Sequence, residues 1–120
     1  MITMKPMADK SAVDLFNKGR FAGPVQGYVA SDGKSCIAYS LFLVKDEETV
    51  LLWAEAADTS LLDGILRASV AKGETDGAHR FSHRAGCPAV DEWFRVFFKN
   101  TAEPVANGLL FGGCCGAAPQ

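Results

Sequence analysis

Apolar and polar positions along the chain follow two periods. From Ser35 to Val44 nearly every residue is apolar, with Cys36, Ala38, Ser40, Phe42 and Val44 on one face of an extended strand and Ile37, Tyr39, Leu41 and Leu43 on the other. Ser31-Asp32-Gly33-Lys34 joins this run to Val25–Ala30, and its Asp-Gly pair suits the positive φ angles of a tight hairpin turn. The polar stretch Lys45-Asp46-Glu47-Glu48 is a second turn. It leads into a strand over Thr49–Ala56, with Leu51, Trp53 and Glu55 on one face and Val50, Leu52, Ala54 and Ala56 on the other. Strands apolar on both faces need covering layers, from helices or from a second subunit.

The period changes at Asp58. Leu61, Leu62, Ile65, Leu66, Ser69, Val70 and Gly73 lie on one helical stripe, which Asp58 or Thr59 caps and Gly77 ends; Gly73 suits a close approach of the helix to the sheet. Ala78–Ser82 reads as a short strand, parallel to the preceding one because a helical crossover joins them. Pro88 then opens a helix with Val90, Trp93, Phe94 and Phe97 on its apolar side. Near the start, Ser11 to Asp14 predicts a two-turn helix ending at Gly19. Pro6 argues against any earlier element, so residues 1–10 read as a loose tail, 11–111 as one domain and 112–120 as a Gly/Cys tail. Past Asn100 the text allows one or two short strands, the last near Leu109-Leu110-Phe111.

Composition narrows the function classes. At 120 residues, 48% apolar and 22% charged, the chain suits one ordinary globular domain. Twelve basic residues against fourteen acidic ones leave no surplus to neutralise a phosphate backbone, so nucleic acid is not an expected partner. Lys45–Glu48 and Asp58–Asp63 interrupt the most apolar stretches, and the N-terminus lacks the apolar run of a signal peptide; no membrane partner and a cytoplasmic location are expected. The four cysteines read as reduced thiols in a chain that can build its own core, with Cys36 a small buried hydrophobe.

The strand LLWAEAA, the helix LLDGILRASVAKGETDGA and the strand HRFSH, behind an antiparallel meander, resemble the central strand, cofactor-side helix and following strand of the GNAT acyltransferase superfamily. The likeness spans roughly residues 25 to 100. Asp63-Gly64-Ile65-Leu66-Arg67-Ala68 is similar to helix text of small, truncated relatives with a cysteine-containing tail. The resemblance implies an α/β (α+β) fold with a mixed sheet, an antiparallel meander followed by a strand-helix-strand-helix unit. It also implies an acyl-CoA cofactor whose pyrophosphate rests on a loop of pattern Arg/Gln-x-x-Gly-x-Gly/Ala at the helix start. Here that stretch runs from Glu55 to Gly64 with one glycine, no basic residue and three acids, which repel a pyrophosphate. The tyrosine that serves the family as general acid is also missing, since none follows Tyr39.

The expected function is therefore a non-catalytic binding or assembly module with no cofactor. The alternatives are a divergent N-acyltransferase using acetyl-CoA, and a thiol or soft-metal protein, zinc included. For the acyltransferase the resemblance assigns Glu55 as general base through a water, with Trp53 and Leu51 expected to raise its pKa; a strand-end carboxylate that caps a helix or faces solvent is the commoner role. For a metal, the adjacent thiols Cys114 and Cys115 are the candidate ligands. His79, His83 and Cys87, four residues apart, form a weaker set because a turn at Arg84-Ala85-Gly86 separates them. A homodimer is the expected partner arrangement if Leu41, Leu43 and Phe98 stay uncovered.

Overall fold

The computed structural model describes residues 1–99 and 101–111. Its elements run β1 (Ile2–Pro6), α1 (Lys10–Asn17), β2 (Gln26–Asp32), β3 (Ser35–Lys45), β4 (Glu48–Ala56), α2 (Thr59–Thr75), β5 (Arg80–His83), α3 (Pro88–Phe97), β6 (Val105–Ala106) and α4 (Asn107–Phe111). The strands form one six-stranded mixed sheet in sequence order. β1 to β4 are antiparallel, β5 runs parallel to β4, and β6 is antiparallel to β5. The α/β reading with a meander followed by a strand-helix-strand-helix unit holds at this level.

Two stretches depart from the sequence expectation. Residues 2–6, read as tail, form edge strand β1 paired from Ile2↔Asp32 to Pro6↔Tyr28. A proline fits at the end of an edge strand, where one side of the backbone needs no partner. Helix α1 accordingly begins earlier than Ser11, capped by the Asp9 carboxylate on the Ala12 amide at 3.0 Å. Leu109-Leu110-Phe111 belongs to the short helix α4 rather than a strand.

Helix α2 follows its sequence stripe: Ile65, Leu66, Ser69, Val70 and Gly73 are buried against the sheet. At Gly73 a Cβ would stand 1.8 Å from Oγ1 of Thr49, so only glycine allows α2 to lie this close to β4. The core on this side joins Phe42, Leu51 and Ala54 of the meander to Phe81 and to Val90, Trp93 and Phe94 of α3. On the opposite side, α1 and the segment after it cover Tyr39, Leu41, Leu43 and Leu52. Leu41 and Leu43 are thus buried within the chain, and Phe98 packs on Phe81, Trp93 and Phe94. The apolar patch on which a dimer was expected does not form from those three residues.

Strict alternation fails in β4. Leu41 pairs with Trp53 and Phe42 with Leu51, which leaves Leu52 as the extra residue of a β-bulge. Leu51 and Ala54 therefore face α2 and α3, whereas Leu52 packs with the α1-side residues. Leu51 and Glu55, assigned to one face by simple alternation, lie on opposite faces.

Candidate functional site

Glu55 sits near the end of β4, directly across from Tyr39 on β3. Its Oε2 accepts two hydrogen bonds, from the Tyr39 hydroxyl at 2.9 Å and from the Trp53 indole N–H at 2.9 Å. Arg20, just past the end of α1, completes the cluster. Its guanidinium lies 4.2 Å from the centroid of the Trp53 ring and donates to the Tyr39 oxygen at 3.1 Å and to the Phe16 carbonyl at 2.8 Å. The Phe16 ring rests on Tyr39 with centroids 4.6 Å apart. Lys18 and Gly19, both in left-handed conformation, turn the chain so that Arg20 reaches this position.

These contacts reverse the expected electrostatics. The Trp53 and Tyr39 donors, aided by the nearby charges of Arg20 and Lys18, hold the Glu55 carboxyl below its ordinary value despite some desolvation. Tyr39 is pushed up, mainly by burial. Trp53 acts on Glu55 through its N–H donor and not as an apolar wall, so Glu55 is a weaker base than a free glutamate. A cup of about 360 Å³ adjoins it, lined by Phe16, Cys36, Ile37, Tyr39 and Ala56 among others. Cys36, expected as a buried hydrophobe, is exposed at this rim.

The start of α2 is closed by its own side chains. Asp58 caps the helix, its carboxylate accepting from the Leu61 amide at 2.8 Å. Asp63 accepts from Arg67 Nε at 2.9 Å and from the Trp93 indole N–H at 2.9 Å. An acyl-CoA pyrophosphate needs free amides and positive charge, so the residues here do not fit that group. The strands β4 and β5 pair only as far as Leu51↔His83, followed by a bond from the Arg84 amide to the Leu51 carbonyl. Beyond that point the space beside Ala54 holds buried Cys87, whose thiol meets the Ala54 carbonyl at 3.5 Å.

His79 and His83 do not converge. His79 lies 2.8 Å from Glu47 at the β3–β4 turn. His83 stacks on Phe94 with centroids 4.1 Å apart, its Nδ1 beside Glu103 at 2.9 Å and its Nε2 beside Asp91 at 3.2 Å. The Glu103 carboxylate, bonded to the ring and to the backbone amide of His83, ties β5 to the segment before β6, while the stack on Phe94 places the ring against α3. Residues four apart on a strand are about 13 Å apart, too far to share one ion. No cluster of three or more potential metal ligands occurs among the described residues, and Cys114 and Cys115 lie outside them. The sequence missed Arg20, and it missed the bond between His83 and Glu103, because neither has a local spacing that marks it.

No family model matches the chain, and no curated protein or solved structure matches it significantly. No helix among the described residues is long and apolar enough to cross a membrane.

Proposed function

We propose that the chain is a GNAT-like domain acting as a non-catalytic binding or assembly module. The observation that carries this reading is the start of α2, where Asp58 occupies the amide end that a pyrophosphate would need. Two further features support it: the space beyond the β4–β5 pairing is taken by Cys87, and Glu55 is held as a stabilised carboxylate. The order of strands and helices also agrees with the resemblance drawn from LLWAEAA and the helix after it.

Thermal unfolding with and without acetyl-CoA tests the reading. A ligand at 100 times its Kd stabilises by about 2.7 kcal/mol, a rise of several degrees in a domain of this size. No shift is expected at roughly millimolar acetyl-CoA, where even a Kd of about 10 µM gives that response. A rise of several degrees that Glu55→Gln leaves in place, together with turnover that it removes, would overturn the proposal in favour of a divergent acyltransferase. A shift with zinc alone, lost on replacing Cys114 and Cys115 by serine, would overturn it in favour of the thiol site.

A further inference from the structure

Two methionines hold the first strand from opposite faces of the sheet. Met4 reaches α2, where its Cε stands 3.0 Å from the position that a Cβ would take on Gly64. Met7, one residue past β1, lies flat on Gly27, with its Cε 2.8 Å from the corresponding Cβ position and its Sδ nearer still. Residues three apart on an extended chain leave it on opposite sides, and Met7 accordingly packs with Val13 on the α1 side. Its amide donates to the Gly27 carbonyl at 2.9 Å and carries the β1–β2 pairing one residue further. Each thioether thus fills a notch left by a glycine. These contacts matter at β1 because all five of its residues are exposed and the strand has a neighbour on one side only.

Both sulfurs are open to a small oxidant. Met4 is 37% exposed, and Met7 lines a cavity of about 680 Å³ shared with Val13, Val25, Gln26 and Lys72. Hydrogen peroxide oxidises a thioether by two electrons: the sulfur attacks one peroxide oxygen, an S–O bond forms and the O–O bond breaks. The departing oxygen takes the proton of the oxygen attacked and leaves as water. The product is a sulfoxide, polar and larger by one atom on sulfur. At Met7 the sulfur already rests on the Gly27 backbone, so the new oxygen lifts it from the notch or sets a strong dipole against the apolar α1 layer.

We propose that Met4 and Met7 are paired oxidation sites that latch β1: hydrogen peroxide converts both to sulfoxides and releases the strand, and reduction of the sulfoxides restores it. Release leaves β2 as the edge of the sheet. The core around Phe42, Leu51 and Phe81 contains neither methionine and keeps its packing. The latch is independent of what the domain binds.

Hydrogen exchange of the full chain followed by NMR, before and after hydrogen peroxide and then dithiothreitol, tests the latch. Dithiothreitol returns disulfides and sulfenic acids to thiols and leaves methionine sulfoxide in place. Mass spectrometry is expected to find an added oxygen on Met4 and on Met7, and the amides that join β1 to β2 exchange at least about tenfold faster while those of α2 and β4 do not change. Methionine sulfoxide reductases for the two epimers bring back the slow exchange. The double variant Met4→Leu, Met7→Leu keeps the volume and every cysteine, and its β1 is indifferent to peroxide. Met1→Leu leaves the response intact, since Met1 is 98% exposed and fills no notch. Sulfoxide at both positions with unchanged exchange in β1 overturns the inference. So does the absence of sulfoxide at Met4 and Met7, a response that persists in the double leucine variant, or one that the reductases do not reverse.

Discussion

The two faces of the sheet are held by different physics. Towards α2 and α3 the chain presents Phe42, Leu51, Ala54 and Phe81, all closed to solvent, and the contact at Gly73 and Thr49 leaves no room for a methyl group. Towards α1 it presents Tyr39, Leu41, Leu43 and Leu52, but this layer ends in an open cluster where Arg20, Tyr39, Trp53 and Glu55 meet through hydrogen bonds and a cation over a ring. The first face is determined by shape, so any change in volume is felt throughout the core. The second is determined at its rim by direction and charge, and there a substitution changes chemistry before it changes the fold.

That contrast breaks most visibly at Phe81. Its ring touches those of Trp93, Phe94 and Phe98, and Phe81→Ala is expected to cost about 3–5 kcal/mol, read as a lower urea midpoint. A loss below about 1 kcal/mol would mean that the α3 side is not shape-determined. Next in size is Gly73→Ala, which forces α2 off the sheet and costs about 1–3 kcal/mol. In a Thr49→Ala background most of that cost should disappear, because the removed Oγ1 is the nearest obstacle to the new Cβ; additive losses in a double-mutant cycle would refute the contact.

The smallest stability change belongs to the α1 face. Tyr39→Phe removes one of the two donors to Glu55 and should cost about 0.5–1.5 kcal/mol at neutral pH. Because folding lowers the pKa of Glu55, its contribution is present above the unfolded value and fades as pH falls through the folded one. The gap between the original chain and Tyr39→Phe therefore narrows in acid, and a carboxyl titration of Glu55 followed by NMR moves up towards the ordinary glutamate range. An unchanged titration would show that the Trp53 N–H and nearby charges alone set the shift.

Local order proved readable wherever one period ran without interruption. The stripe from Ile65 to Gly73, the cap at Asp58 and Pro88 at the start of α3 are dictated by neighbours in the chain, and each appears where the spacing places it; the hairpin turn falls one residue later than the Asp-Gly pair, over Gly33 and Lys34, with Asp32 still paired to Ser35. The bulge at Leu52 was not readable, since Leu51-Leu52-Trp53 is equally apolar in either register and only pairing with β3 selects one. Strand β1 was hidden for a similar reason: all five of its residues are exposed, so no burial pattern marks it, and its partner lies some twenty-five residues away.

For the candidate site the division is sharper. The resemblance singled out Glu55, and the acids Asp58 and Asp63 with no basic residue beside them at the start of α2 are local facts that the sequence shows directly. The ionisation of Glu55 depended on Arg20 and Tyr39, brought from α1 and β3, and on which face the bulge gave to Trp53. Helix caps and periodic stripes are set by bonds within a few residues. The pKa of a side chain is set by whatever the fold brings within hydrogen-bond reach, which is why the composition and order of this chain were legible in one dimension and the chemistry of Glu55 only in three.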